Sequence, residues 1–367
     1  MLSNHPQTVA RSVRLAVLLA VTALSSYGIV LGGEMPSDIS NSATSKHHVG
    51  PSGGPGSMLA CRPLDQIWVV STRDVGCPKS GEAPALTFSV RTVDGNMQDA
   101  SLDVFVAATA GMQARFWIHG YGVLPQEAID VGLAAHERFV AATEPPIRFV
   151  VWSWPSEREG YRRVKDIREK GCRTQVEAYC LAWLISQMKA DADISLVGYS
   201  YGTRVIAGGL HLVGGGEVCG LGLASPTLVL ASDQGGQGHA VRRESRNCRA
   251  VLLAAAMGSD WLVEGGFNEH ALGQTSEMLS IYSSSDRVLK FYPLATREKR
   301  DTALGYRGLA PLPPRDEGNG KYAELDVGYL IGGEHDLETY LGHLEITAAA
   351  REALAPTTTP GEGGPAK

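Results

Sequence analysis

Residues 194–204 read Ile194-Ser195-Leu196-Val197-Gly198-Tyr199-Ser200-Tyr201-Gly202-Thr203-Arg204. Ile194–Val197 is a short apolar run of strand character, and Tyr201 to Val213 reads as a helix with small residues at Gly202, Ala207 and Gly208. The junction is a Gly-x-Ser-x-Gly sequence. Glycine on both sides of the serine lets strand and helix pack closely while Ser200 takes a strained backbone with positive φ. Such a turn lifts the Ser200 hydroxyl above the end of a sheet and directs the Tyr201 N–H at a developing oxyanion. The chain supplies its own control. Gly50-Pro51-Ser52-Gly53-Gly54 fits the same pattern but has no strand before it and no helix after it, so Ser52 is set aside.

The surrounding sequence alternates in the same way. Ile67–Arg73, Leu86–Val93 and Leu102–Ala107 read as strands, with the turn Asp94-Gly95-Asn96 between the last two. Arg115–His119 is another strand, followed by a helix that starts at Pro125 and carries Ile129, Leu133, His136 and Val140 at helical spacing. Arg148–Trp152 is a β run, and Val176, Tyr179, Trp183 and Met188 mark a long amphipathic helix. Ala250–Ala256 and Met278–Tyr282 are two later strands. This alternation predicts an α/β chain with a mostly parallel central sheet and helices on both faces.

Three motifs carry a resemblance. His119-Gly120-Tyr121-Gly122 follows one strand, Trp152-Ser153-Trp154-Pro155-Ser156 the next, and Gly198-Tyr199-Ser200-Tyr201-Gly202-Thr203-Arg204 the third. In that order they resemble a group of bacterial α/β-hydrolases that are mostly uncharacterised, over roughly Arg115 to Ala256. The resemblance implies an α/β-hydrolase fold. It also implies an oxyanion hole built from Tyr201 and the Gly120 turn, through an N–H of Tyr121 or Gly122. His119 itself reads as a loop-fixing side chain, and Trp152–Trp154 as packing rather than chemistry.

A serine hydroxyl needs a base, and the base needs an acid to hold its tautomer. In this fold the chain order is serine, acid, histidine. Ser280-Ile-Tyr-Ser-Ser-Ser-Asp286 is a β run ending in a polar loop with an aspartate, so Asp286 is the favoured acid and Asp260 the alternate. The histidines that follow Asp286 are His335 and His343. His335 sits in Gly332-Gly333-Glu334-His335-Asp336 ahead of a helix and is the favoured base; His343, about two turns along that helix, is the alternate. Glu334 and Asp336 read as solvated. No metal or other cofactor is implied.

The chain has 367 residues and a net charge of −6, without the basic stripe of a nucleic-acid binder. Arg11 and Arg14 precede the apolar Leu15–Val21, a pattern that predicts export. Residues 1–33 fit either a cleaved signal or an uncleaved membrane anchor, with the rest of the chain periplasmic, secreted or at the cell surface. Residues 34–56 read as a linker, 57–355 as the hydrolase domain and 356–367 as a tail; the Gly-rich segment from Gly214 to Asn247 reads as a cap or a surface loop. Of six cysteines, Cys61 with Cys77 and Cys219 with Cys248 are the pairs that bracket short segments, free thiols being the other reading. The function expected is a serine hydrolase acting on a small or lipid-like acyl ester. An acyltransferase with the same triad and a non-catalytic scaffold on the same fold are the alternatives.

Overall fold

In a computed structural model, residues 62, 64–223, 246–296, 302–311 and 321–356 are described. The leader, the linker with Ser52, Cys61, most of the Gly214–Asn247 segment and the tail beyond Pro356 lie outside the described residues.

Nine strands form one sheet. They are β1 (Gln66–Ser71), β2 (Thr87–Arg91), β3 (Met97–Ala100), β4 (Gln113–Ile118), β5 (Ile147–Ser153), β6 (Asp193–Tyr199), β7 (Cys248–Leu253), β8 (Thr275–Tyr282) and β9 (Tyr322–Asp326). Their spatial order is β3-β2-β1-β5-β4-β6-β7-β8-β9. β2 runs antiparallel to β1 and to β3, and the other six pairings are parallel. Residues 248–253 of β7 are buried at six consecutive positions, and β4 and β5 are nearly so. Unbroken burial means both faces of the sheet are covered, which is why these strands read as apolar runs without alternation.

Besides the short helices α5 (Tyr292–Thr296), α6 (Leu304–Arg307) and α7 (Gly328–Ile331), the cover comes from two groups of helices. α2 (Pro125–Phe139) packs on β5 and against α9 (Leu344–Leu354), which lies on β7 and β8. α3 (Arg163–Gln187) packs along α4 (Gly202–Val213), which lies on β6 and β4. Every residue of α4 is buried. A Cβ on Gly208 would come within 2.8 Å of Ala178 Cβ, so glycine there sets the close approach of α3 and α4.

Residues 102–107, expected as a strand, instead form α1 (Leu102–Thr109). Leu102, Val104 and Val106 alternate like a strand, but Phe105 and Thr109 are the buried positions and Ser101 caps the helix by accepting from the Val104 N–H. The third strand is the preceding Met97–Ala100. On α2 the buried stripe runs through Ala128, Gly132, Ala135, His136 and Phe139, leaving Ile129 and Leu133 partly exposed. β9 was not anticipated; it is a short edge strand with no fully buried residue. Among the described residues Cys77, Cys172, Cys180, Cys219 and Cys248 are unpaired, which corrects the Cys219–Cys248 pairing; the Cys61–Cys77 pairing, through Cys61, lies outside the described residues.

Candidate active site

The parallel strands end level with one another, and the loops leaving that edge carry the expected residues. Ile118 of β4 is paired with Gly198 of β6, Tyr199 with Leu253 of β7, Leu253 with Ile281 of β8, and Tyr282 with Asp326 of β9. The nucleophile turn, the His119-Gly120 turn, the acid loop and the base loop therefore meet above the carboxyl ends of the strands, where ligands bind in open parallel sheets.

Ser200 sits between β6 and α4 with φ of 52°, a left-handed backbone that a serine adopts only under constraint. Its N–H donates to Leu253 O (2.9 Å), and its carbonyl accepts from the Thr203 hydroxyl (2.6 Å). Gly202 is required because a Cβ there would collide with the Ile118 carbonyl. Gly120 approaches the turn from the other side: a Cβ on it would lie 3.1 Å from both Ser200 Cβ and Tyr199 Cδ1.

Ser200 Oγ lies 3.2 Å from His335 Nε2, and His335 Nδ1 lies 2.7 Å from Asp286 Oδ2. With Nδ1 donating to the carboxylate, Nε2 is left as the acceptor for the serine hydroxyl, a tautomer assigned from these partners. Asp286 is fully buried, and its Oδ1 accepts from the Val288 and Leu289 amides at 2.8 and 2.7 Å. Two backbone donors and one imidazole donor fix the carboxylate on both oxygens. The acid and base loops are also tied to each other. Ser283 Oγ donates to Gly332 O (2.6 Å) and Arg287 N to Gly333 O (3.1 Å). Asp326 braces both loops by accepting from the Ser284 and Gly328 amides. Against the desolvation of its partial burial, these bonds hold the Asp326 carboxyl below its ordinary range.

The alternates stand apart. Asp260 is exposed, in the loop after β7, and is not among the partners of His335. His343 is not part of a continuous helix with the base. It caps the junction where α8 (Leu337–Gly342) ends and α9 begins. Asp336, expected as solvated, is the N-cap of α8 and accepts from the Thr339 amide (2.8 Å) and hydroxyl (2.7 Å).

The Gly120 turn refines the expected oxyanion hole. The Gly122 N–H is used up on Ser156 O at 2.7 Å, which corrects its candidacy, whereas the Tyr121 amide donates to no acceptor among the described residues. His119 holds this turn from below. It is fully buried, with Nδ1 on Gly120 O (2.9 Å) and Nε2 accepting from the Trp154 N–H (3.4 Å), and its ring stacks on Trp154. Burial pushes its pKa down to about 3, so it is a neutral prop and not a proton carrier. Trp152 is likewise structural, donating to the buried Glu177.

Tyr199 was not picked out from the sequence. Its hydroxyl donates to the His335 backbone carbonyl and its ring tilts against the imidazole, with centroids 5.6 Å apart. Burial pushes the phenol well above its ordinary pKa, so it stays a donor. A tyrosine inside the Gly-x-Ser-x-Gly sequence gives no hint of this contact, because the partner lies 136 residues away.

Among the described residues no group of three His, Cys, Asp or Glu side chains is placed to hold a metal ion, and no helix is long and apolar enough to cross a membrane. No family model matches the chain, and no curated protein matches it.

Proposed function

We propose that this chain is a serine hydrolase of the α/β-hydrolase fold acting on a carboxylic ester. The observation that carries the reading is the run of two hydrogen bonds from Ser200 through His335 to a buried, doubly braced Asp286. The fold assignment draws support from topology. The serine follows β6, the acid β8 and the base β9, on adjacent parallel strands of the order β6-β7-β8-β9, in the chain order serine, acid, histidine.

In the first half-reaction Ser200 Oγ bonds to the ester carbonyl carbon while its proton passes to His335 Nε2. The carbonyl oxygen becomes an oxyanion facing the amides of Tyr121 and Tyr201. The carbon–oxygen bond of the ester then breaks, and the Nε2 proton leaves with the alcohol. Water, deprotonated by the same nitrogen, adds to the acyl carbon; Ser200 recovers the proton and the carboxylic acid departs. Asp286 stays ionised and keeps Nδ1–H directed at itself, which offers Nε2 to the serine throughout. We extend the proposal to place: the basic Arg11 and Arg14 ahead of Leu15–Val21 support export of the domain.

The test is labelling by a fluorophosphonate, which reacts with activated serines. Wild-type protein should label at one site and Ser200→Ala should not label, whereas Ser52→Ala should label as wild type does. Labelling that persists in Ser200→Ala would reject the reading.

A further inference from the structure

A cavity of about 470 Å³ opens beside the nucleophile turn, between α3 and the loop of residues 258–268. Tyr201 and Arg204 form its floor, Cys172 its α3 wall, and Trp261, Phe267 and Asp260 the opposite wall. No residue of the loop that carries His335 lines it. Resting on the hydrolase reading, we infer that this cavity is the acyl pocket of the enzyme and that it accepts a ring-sized apolar acyl group.

The side of the cavity decides which arm of the ester enters it. His335 Nε2 must hand its proton to the leaving oxygen, so the alcohol stays beside the base. The acyl arm then points away from the base, and Tyr201, the residue that follows the nucleophile, lines the cavity. Its volume is some three times the ~150 Å³ cavity that admits benzene. Its rings are held in advance: the Arg204 guanidinium sits 4.8 Å from the centroids of both Tyr201 and Trp261, with Nε on Ala256 O and an Nη on the Tyr292 hydroxyl, each at 2.6 Å. The Tyr201 hydroxyl is fixed on Ile167 O at 3.0 Å. A preformed aromatic wall binds a flat apolar group without paying to order side chains. Phe267, at 43% exposure, marks the mouth, and the exposed Cys172 gives reagents access to the wall.

Cys172 supplies the test. The full chain should hydrolyse p-nitrophenyl phenylacetate with a kcat/KM at least tenfold above that for p-nitrophenyl acetate. Addition of the Cys172 thiol to N-benzylmaleimide places an N-benzylsuccinimide on its sulfur and should lower that ratio at least fivefold. In Cys172→Ser the ratio should not respond to the reagent. The labelling rates of Ser200 by a benzyl and a methyl phosphonofluoridate provide the same comparison through the nucleophile alone. A kcat/KM ratio below ten or a labelling ratio at or below one overturns the pocket, as does a ratio lowered less than fivefold when mass spectrometry finds Cys172 alkylated. Labelling of Ser200 with a preference for the small group sinks the pocket and leaves the hydrolase standing. Failure of every phosphonate to label Ser200 sinks both.

Discussion

At the scale of single residues, the site is a matter of which atoms are left free and which are used up. His335 has one nitrogen committed to Asp286 and one offered to Ser200, whereas His343 closes one helix and opens the next. His335→Ala should therefore lower kcat on a short p-nitrophenyl ester by about three orders of magnitude or more. His343→Ala should leave kcat nearly unchanged, with both variants folded by circular dichroism. Gly120 stands where a Cβ would press on Ser200 and Tyr199 from 3.1 Å. Gly120→Ala should lower kcat roughly ten- to hundredfold by displacing the nucleophile, with little effect on fluorescence of the folded chain. The buried His119 gives a pH effect whose sign follows from its depressed pKa. It takes up its proton near pH 3 when folded, against an ordinary 6.5. Its contribution to stability is thus complete above pH 6.5 and is lost as pH falls from there towards 3, by about 1.4 kcal/mol for each pH unit. Denaturant titrations between pH 6 and 4 should show a shallower loss of stability in His119→Gln than in wild type.

At the scale of elements, the base is only as well placed as the helix that follows it. Asp336 caps α8 one residue beyond His335, and Asp336→Ala should cost about 1 kcal/mol of stability. It should also lower kcat at a temperature where the variant is fully folded, and Asp336→Asn, which keeps the capping oxygen, should restore most of it. That cap was hidden in the sequence because an aspartate in a glycine-rich polar loop reads as solvated. The elements that carry the triad were legible for a local reason: apolar runs ending at Val197 and Tyr282 lead into a glycine-flanked serine and a polar loop with an aspartate, and Gly332-Gly333 flags the base loop. Legibility failed where two periods coexist. Leu102-Asp-Val-Phe-Val-Ala107 satisfies alternation and helix spacing alike, and the deciding signal was the Ser101 cap. It failed again at Gly122, whose amide is consumed by Ser156, since backbone hydrogen bonding between distant loops leaves no mark on composition. β9 was missed because an edge strand with no fully buried residue lacks the apolar density that identifies its neighbours.

At the scale of the whole molecule, the described cysteines divide by depth. Cys77, Cys172 and Cys219 are exposed, while Cys180 and Cys248 are buried and burial drives their thiols upward, Cys248 to about 12. A chromogenic disulfide reagent should react with the three exposed thiols in the native protein, and with Cys180 and Cys248 only once denaturant has opened the sheet; prompt reaction of the buried pair would contradict the packing of α3 and β7. The order of the strands has a consequence for how the protein comes into being. The serine and its partner imidazole are 135 residues apart, and the strands that bring acid and base alongside are the last two of the sheet. On the proposed reading, a ribosome therefore delivers the nucleophile long before the acid and base that would activate it. Until residues beyond 335 have emerged and β9 has docked, the nascent polypeptide holds an unarmed serine. On the hydrolase reading, copies that end before residue 335 lack the base and should not turn over acyl esters.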